Sequence, residues 1–127
     1  MKRHLSVLST LVFICFASGC AGIAPGHDPV VVNAERATVL ALDTVDTFLA
    51  WEFQNREAFA SVPEIRESAN YLRRNAPAWF ETARDLTKSY KQNRTEQNKA
   101  NLGTVIAILQ RATRQANAYL PAALKKK

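Results

Sequence analysis

Residues 61–92, SVPEIRESANYLRRNAPAWFETARDLTKSYKQ, decide how this chain folds. Apolar side chains recur at Ile65, Ala69, Leu72, Ala76, Trp79, Ala83, Leu86 and Tyr90, in steps that alternate four and three. That spacing holds one face of an α-helix against a neighbouring helix, with knobs seated in holes. A half-buried strand would need alternation at every second residue, which the stretch lacks. Ser61 with Glu64 three residues later forms a capping-box start, so the helix is expected over about 62–92. Pro77 lies inside it, withdraws one backbone donor and predicts a kink or a split near Arg73. Unbroken register on both sides favours a kinked but continuous helix.

Working outward, two more helical segments flank this one. Upstream, Asp28-Pro29 supplies an N-cap and a proline at the first helical position, opening a helix expected over about 29–59. Its apolar stripe reads Val31, Ala34, Ala41, Leu42, Val45, Phe48, Leu49 and Phe53, with a second ridge at Leu40, Thr44, Thr47 and Trp51. Downstream, the polar turn 93–97 offers Asn93 or Thr95 as cap to a third helix over about 95–120. That helix repeats the seam with Leu102, Val105, Leu109, Ala112, Ala116 and Tyr119, and Pro121 ends it before a basic tail, 122–127. Nothing reads as a strand. The expected fold is all-α, an antiparallel three-helix bundle over 29–121 with coiled-coil-like heptad packing. In that topology the first helix begins beside the second turn, and the first turn lies beside the C-terminus.

Charge is unevenly spread. The chain carries a formal net charge of +6, yet residues 20–60 hold six acidic groups against two basic ones, and everything after them is basic. The simplest consequence is attraction between the acidic first helix and the basic segments that follow. No enzyme constellation is visible. The stretch after residue 20 has one histidine, His27, and its glycines at 22, 26 and 103 form no phosphate loop. Asp43 and Asp46 are spaced as two carboxylates on the outer face of a helix, without a third partner. No cofactor and no metal is expected, and no nucleic acid, because the export signal described below outweighs the basic balance.

Several side chains stand out as contact candidates. Leu40 and Trp51 fall off the main stripe, serving either as flanking core or as a partner surface. Glu52 and Arg56 interrupt the stripe at i, i+4 spacing, where a salt bridge, or a pair with Arg66 across the turn, would fix hairpin register. Lys88, Lys91, Arg94 and Lys99 cluster around the second turn, where each cation near an anionic surface would contribute about 1 kcal/mol.

The first twenty residues set the expected address. Lys2 and Arg3 precede an apolar run from Leu5 to Ala17, and Ala17-Ser18-Gly19 lead to Cys20. The run is shorter than the ~20 residues a spanning helix needs, and the small residues favour cleavage. This segment resembles the lipobox signal of bacterial lipoproteins, with Ala17 where leucine is commonest in that family. The resemblance implies a cleaved signal peptide, 1–19, acylation of Cys20, and a tether, 20–28, holding the bundle near a membrane. An ordinary signal peptidase cutting the same bond would instead release a secreted protein. Cys15 leaves with the signal, however, and an unpaired Cys20 in an oxidising compartment is explained by acylation. Ala21 is not the aspartate associated with inner-membrane retention. In a Gram-negative host the resemblance therefore implies the inner leaflet of the outer membrane, facing the periplasm.

The final Lys125-Lys126-Lys127 is similar to the C-terminus of the major murein lipoprotein, whose terminal lysine is joined to peptidoglycan. Here the heptads fold into three segments, and leucine stands where that family has an aromatic before the basic end. The expectation is a membrane-anchored, non-enzymatic envelope lipoprotein presenting a helical interaction surface to lipid, lipopolysaccharide or an envelope protein. Two alternatives stay open, a peptidoglycan tether acting through Lys127 and a mobile-element exclusion or immunity lipoprotein.

Overall fold

A computed structural model describes residues 27–125, which form three long α-helices and two short 3₁₀ turns. Helix α1 spans Pro29–Gln54, α2 spans Pro63–Gln92 and α3 spans Glu96–Tyr119, with 3₁₀ turns at Ala58–Ser61 and Ala122–Leu124. The three helices pack on one another as an up-down-up bundle, the expected class.

Local chemistry explains most boundaries. Asp28 caps α1, its carboxylate accepting from the Val30 amide at 2.9 Å, with Pro29 at the first position. Thr95 caps α3 by accepting from the Asn98 amide at 3.1 Å. Helix α1 ends at Gln54, short of the expected Phe59. There the Asn55 backbone N–H donates to the carbonyls of Trp51 and Glu52, and its side-chain amide donates to Trp51 at 2.8 Å. The expected capping box at Ser61 does not form, because Ser61 closes the 3₁₀ turn and Val62 is the N-cap of α2. The cause is Pro63, since the residue before a proline is driven out of the α region. Val62 accordingly sits at φ −123°, ψ 78° and makes no side-chain cap bond. Helix α2 continues through Pro77 without a break.

The core divides into two clusters along the bundle axis. Near the α2–α3 turn, Val31, Ala34 and Ala41 pack with Ala83, Tyr90, Leu102, Val105 and Leu109. At the opposite end Val45 and Phe48 pack with Ile65, Ala69, Leu72, Ala76, Ala112, Ala116 and Leu120. Trp79 and Phe80 touch both clusters and join them. In the far cluster α2 and α3 contribute mostly alanines, which leave room for the Phe48 ring stacked 6.0 Å from Tyr119.

The α1 seam differs from the expected stripe. Leu42 and Phe53, read as core, are 44% and 67% exposed, whereas Thr44 and Glu52 are fully buried. The buried line steps through Ala34, Ala41, Val45, Phe48 and Glu52, so Leu42 and Phe53 each lie one residue, about 100° of helix, past it. Thr44 and Thr87 enter the core without leaving a hydroxyl unpaired, each donating to the carbonyl four residues back at 2.7 Å.

Two substitutions test this packing by chemical denaturation. Leu72→Ala, at a fully buried site, should cost about 3 kcal/mol. Pro77→Ala restores a donor at an exposed position inside α2 and should stabilise the fold by about 1–2 kcal/mol, less than the ~3 kcal/mol an interior proline costs, because the freer unfolded chain offsets part of the gain.

Candidate functional site

An open groove runs between α1 and α2. One section, of about 360 Å³, is lined by Glu35, Thr38, Val39 and Leu42 from α1 and by Phe80, Arg84, Thr87, Lys88 and Lys91 from α2. A second, of about 310 Å³, carries Leu42, Val45, Asp46 and Leu49 against Leu72, Arg73, Ala76, Pro77 and Phe80. Leu42 and Phe80 line both, so the two sections form one groove spanning Glu35 to Leu49, roughly 20 Å of helix.

The α1 wall owes its form to a second heptad line. From Glu35, steps of four and three reach Val39, Leu42, Asp46, Leu49 and Phe53. Val39 and Phe53 are 66% and 67% exposed, so α1 shows apolar side chains to solvent at the spacing used for helix pairing. Sequence reasoning missed this line because it merged Leu42, Leu49 and Phe53 with the core stripe. Counting the period onward from Glu35 would have separated them.

The two walls carry opposite charge. Three ion pairs join α1 or its cap to α2 and its C-terminal turn: Asp28 Oδ2–Arg94 Nε at 3.4 Å, Glu35 Oε1–Lys91 Nζ at 2.6 Å, and Glu52–Arg73. Numbering rises on α1 as it falls on the partner side, which is the antiparallel register. Arg84 and Lys88, on the α2 wall, make no ion pair among the described residues, and neither does Asp46 on the α1 wall.

Arg73, which lines the far section of the groove, pairs with Glu52 of α1. Its carboxylate is fully buried and holds the guanidinium of Arg73, with Arg56 Nε 3.5 Å from the other oxygen. The partner expected across the turn was Arg66. The structure supplies Arg73, one heptad further along, because the 3₁₀ turn sets α2 higher against α1. Burial alone pushes the Glu52 carboxyl upward, but the hydrogen bond from Arg73 and the nearby positive charges of Arg73 and Arg56 outweigh it and hold the pKa below its usual 4.5.

The remaining candidate residues fall as follows. Lys88, Lys91, Arg94 and Lys99 do gather at the end where α1 begins, but Lys91 and Arg94 are paired as above and Lys99 lies 3.4 Å from Glu96. Leu40 and Trp51 are half-buried. The Trp51 ring leans on Phe48 and Phe59 at centroid distances of 6.2 and 4.7 Å. Cys20 and Lys127 lie outside the described residues. Among the described residues no three histidine, cysteine, aspartate or glutamate side chains converge as a metal site, and no helix is long and apolar enough to cross a membrane. No family model, curated protein or solved structure matches the chain. The groove offers binding chemistry: an apolar floor that gains from desolvation, between rims whose charges set orientation.

The Glu52 node predicts an acid-sensitive component of stability. Its folded pKa is depressed, so its contribution is complete above the unfolded value and is lost as pH falls through the folded one. Denaturation of the parent and of Glu52→Gln between pH 7 and pH 3 should show their difference shrinking below about pH 4.5. Arg73→Ala, leaving the carboxylate with Arg56 alone, should destabilise by about 2 kcal/mol at pH 7.

Proposed function

We propose that this protein is a membrane-anchored, non-enzymatic lipoprotein of the bacterial envelope that presents the α1–α2 groove as an interaction surface close to the bilayer. The observation that carries this reading is the groove itself, with exposed Val39 and Leu42 on its α1 wall and exposed Phe53 continuing their heptad line beyond its far end. A monomeric helix gains nothing from such a line in water, whereas a binding helix needs it. The address rests on the lipobox-like residues ending at Cys20. Helix α1 begins nine residues later, and at ~3.3 Å per residue the connecting chain reaches about 30 Å at most. An acylated Cys20 therefore keeps the start of α1 and the α2–α3 turn beside the membrane.

Anchoring by two or three acyl chains, at ~0.8 kcal/mol per buried methylene, is stable where a single chain would bind only reversibly. Fractionation of expressing cells should place the full chain in membranes and a Cys20→Ser variant in the soluble fraction. Intact mass of the detergent-extracted protein should correspond to residues 20–127 plus acyl groups. Membrane retention of Cys20→Ser would defeat the lipoprotein reading.

A further inference from the structure

We infer that the groove is filled by a second copy of this chain, related by a two-fold axis parallel to the helices, so that α1 of each copy lies against α2 of its partner. The α1 rim of the groove is acidic, with Glu35 and Asp46, and the α2 rim is basic, with Arg84 and Lys88. Among the described residues Arg84, Lys88 and Asp46 make no ion pair, and the two cations lie along α2 between the levels of Glu35 and Asp46.

A two-fold axis running along the groove carries each α1 over to face the partner's α2. Acidic rim then meets basic rim on both sides, and every neighbouring helix in the resulting four-helix contact is antiparallel. A two-fold axis perpendicular to the helices would instead stack α1 on α1 and α2 on α2, setting like charges together. An anionic amphiphile in the groove would find Arg84 and Lys88 but would also meet Glu35 and Asp46. A copy of the chain satisfies both rims.

This inference rests on the proposed anchor for one of its supports. Only the parallel axis leaves both α1 starts, and both lipids, on the same membrane face. Confinement to that face raises the effective concentration of each copy for the other.

The test uses the full chain in its own membranes. Val39→Cys, Leu42→Cys and Leu49→Cys are introduced singly with Cys15→Ser and treated with a short thiol-to-thiol bismaleimide, because the two α1 helices face each other diagonally across the axis, beyond direct disulfide reach; Thr104→Cys on the exposed side of α3 is the reference. A parallel axis keeps each residue of the groove line level with its own copy across the axis, so all three variants should give cross-linked dimers well above the reference. Cross-linking at one level alone would mean a perpendicular axis, and none above the reference would mean no pairing; either overturns the inference. Arg84→Glu with Lys88→Glu should lower the Leu42→Cys cross-link at least fivefold, and adding Asp46→Lys should restore part of it. An unchanged yield would overturn the charge argument. Native mass spectrometry of the gently extracted chain should show two copies, and a monomer carrying an anionic lipid would overturn the inference. The same cross-links made with Cys20→Ser separate the two readings: fractionation of that variant judges the anchor, and its cross-link pattern judges the pairing.

Discussion

The register of α1 against α2 is the constraint on which the remaining structure depends, and the buried Glu52–Arg73 pair marks it. Such a pair adds little net stability, since desolvating two charges costs about what their attraction returns. Its effect is discrimination, because any register that leaves the Glu52 carboxylate buried without a cation is costly. Charge alone would not choose Arg73, however. Arg66 lies one heptad earlier on α2, and a one-heptad slip would offer it to the same carboxylate. The α1–α2 connection decides. Asn55 stops α1, the Ala58–Ser61 turn follows, and Pro63 forbids α2 from starting sooner. At that register α2 extends about two turns past the end of α1. Phe59, Tyr119 and Leu120 cover the overhang, packed against the far core cluster.

The same register explains why charge is segregated along the chain. The acidic first segment and the basic second become neighbouring walls, and three cross-helix pairs hold them. Each exposed pair is weak on its own, but all three fall on one antiparallel line, so a slipped hairpin loses them together.

How much of this was legible in the sequence depended on whether a signal was local. The seam from Ile65 to Tyr90, the Asp28 and Thr95 caps and the terminating Pro121 are short-range patterns, and each is where it was expected. The Ser61 cap failed for a local reason too, because a Ser-x-Pro-Glu string satisfies the capping box while Pro63 dictates the backbone of Val62. The α1 face was harder. Its apolar residues occupy two heptad lines one residue apart, and only packing shows that the one ending at Glu52 is inside. A buried glutamate reads as an interruption until its guanidinium partner is found 21 residues away. The groove was illegible for the same reason, being a relation between two helices and a property of neither. Cys20 and Lys127 rest on sequence alone.

Why α1 and α2 should leave a groove while α3 fills its own contacts follows from side-chain size. In the far cluster α3 brings Ala112 and Ala116 against Ala69 and Ala76 of α2, so these backbones approach closely and the seam between them closes. Across the α1–α2 face the facing residues are Leu42, Leu49, Phe80 and Pro77, with long cations on one rim. Bulky side chains on both walls hold the helices apart and stand partly in water. A three-helix bundle has the means to close that face by substituting small residues, as it does at α2–α3. Keeping large apolar groups there at heptad spacing, with acidic and basic side chains along opposite rims, is what a helical pair requires of the surface that receives it.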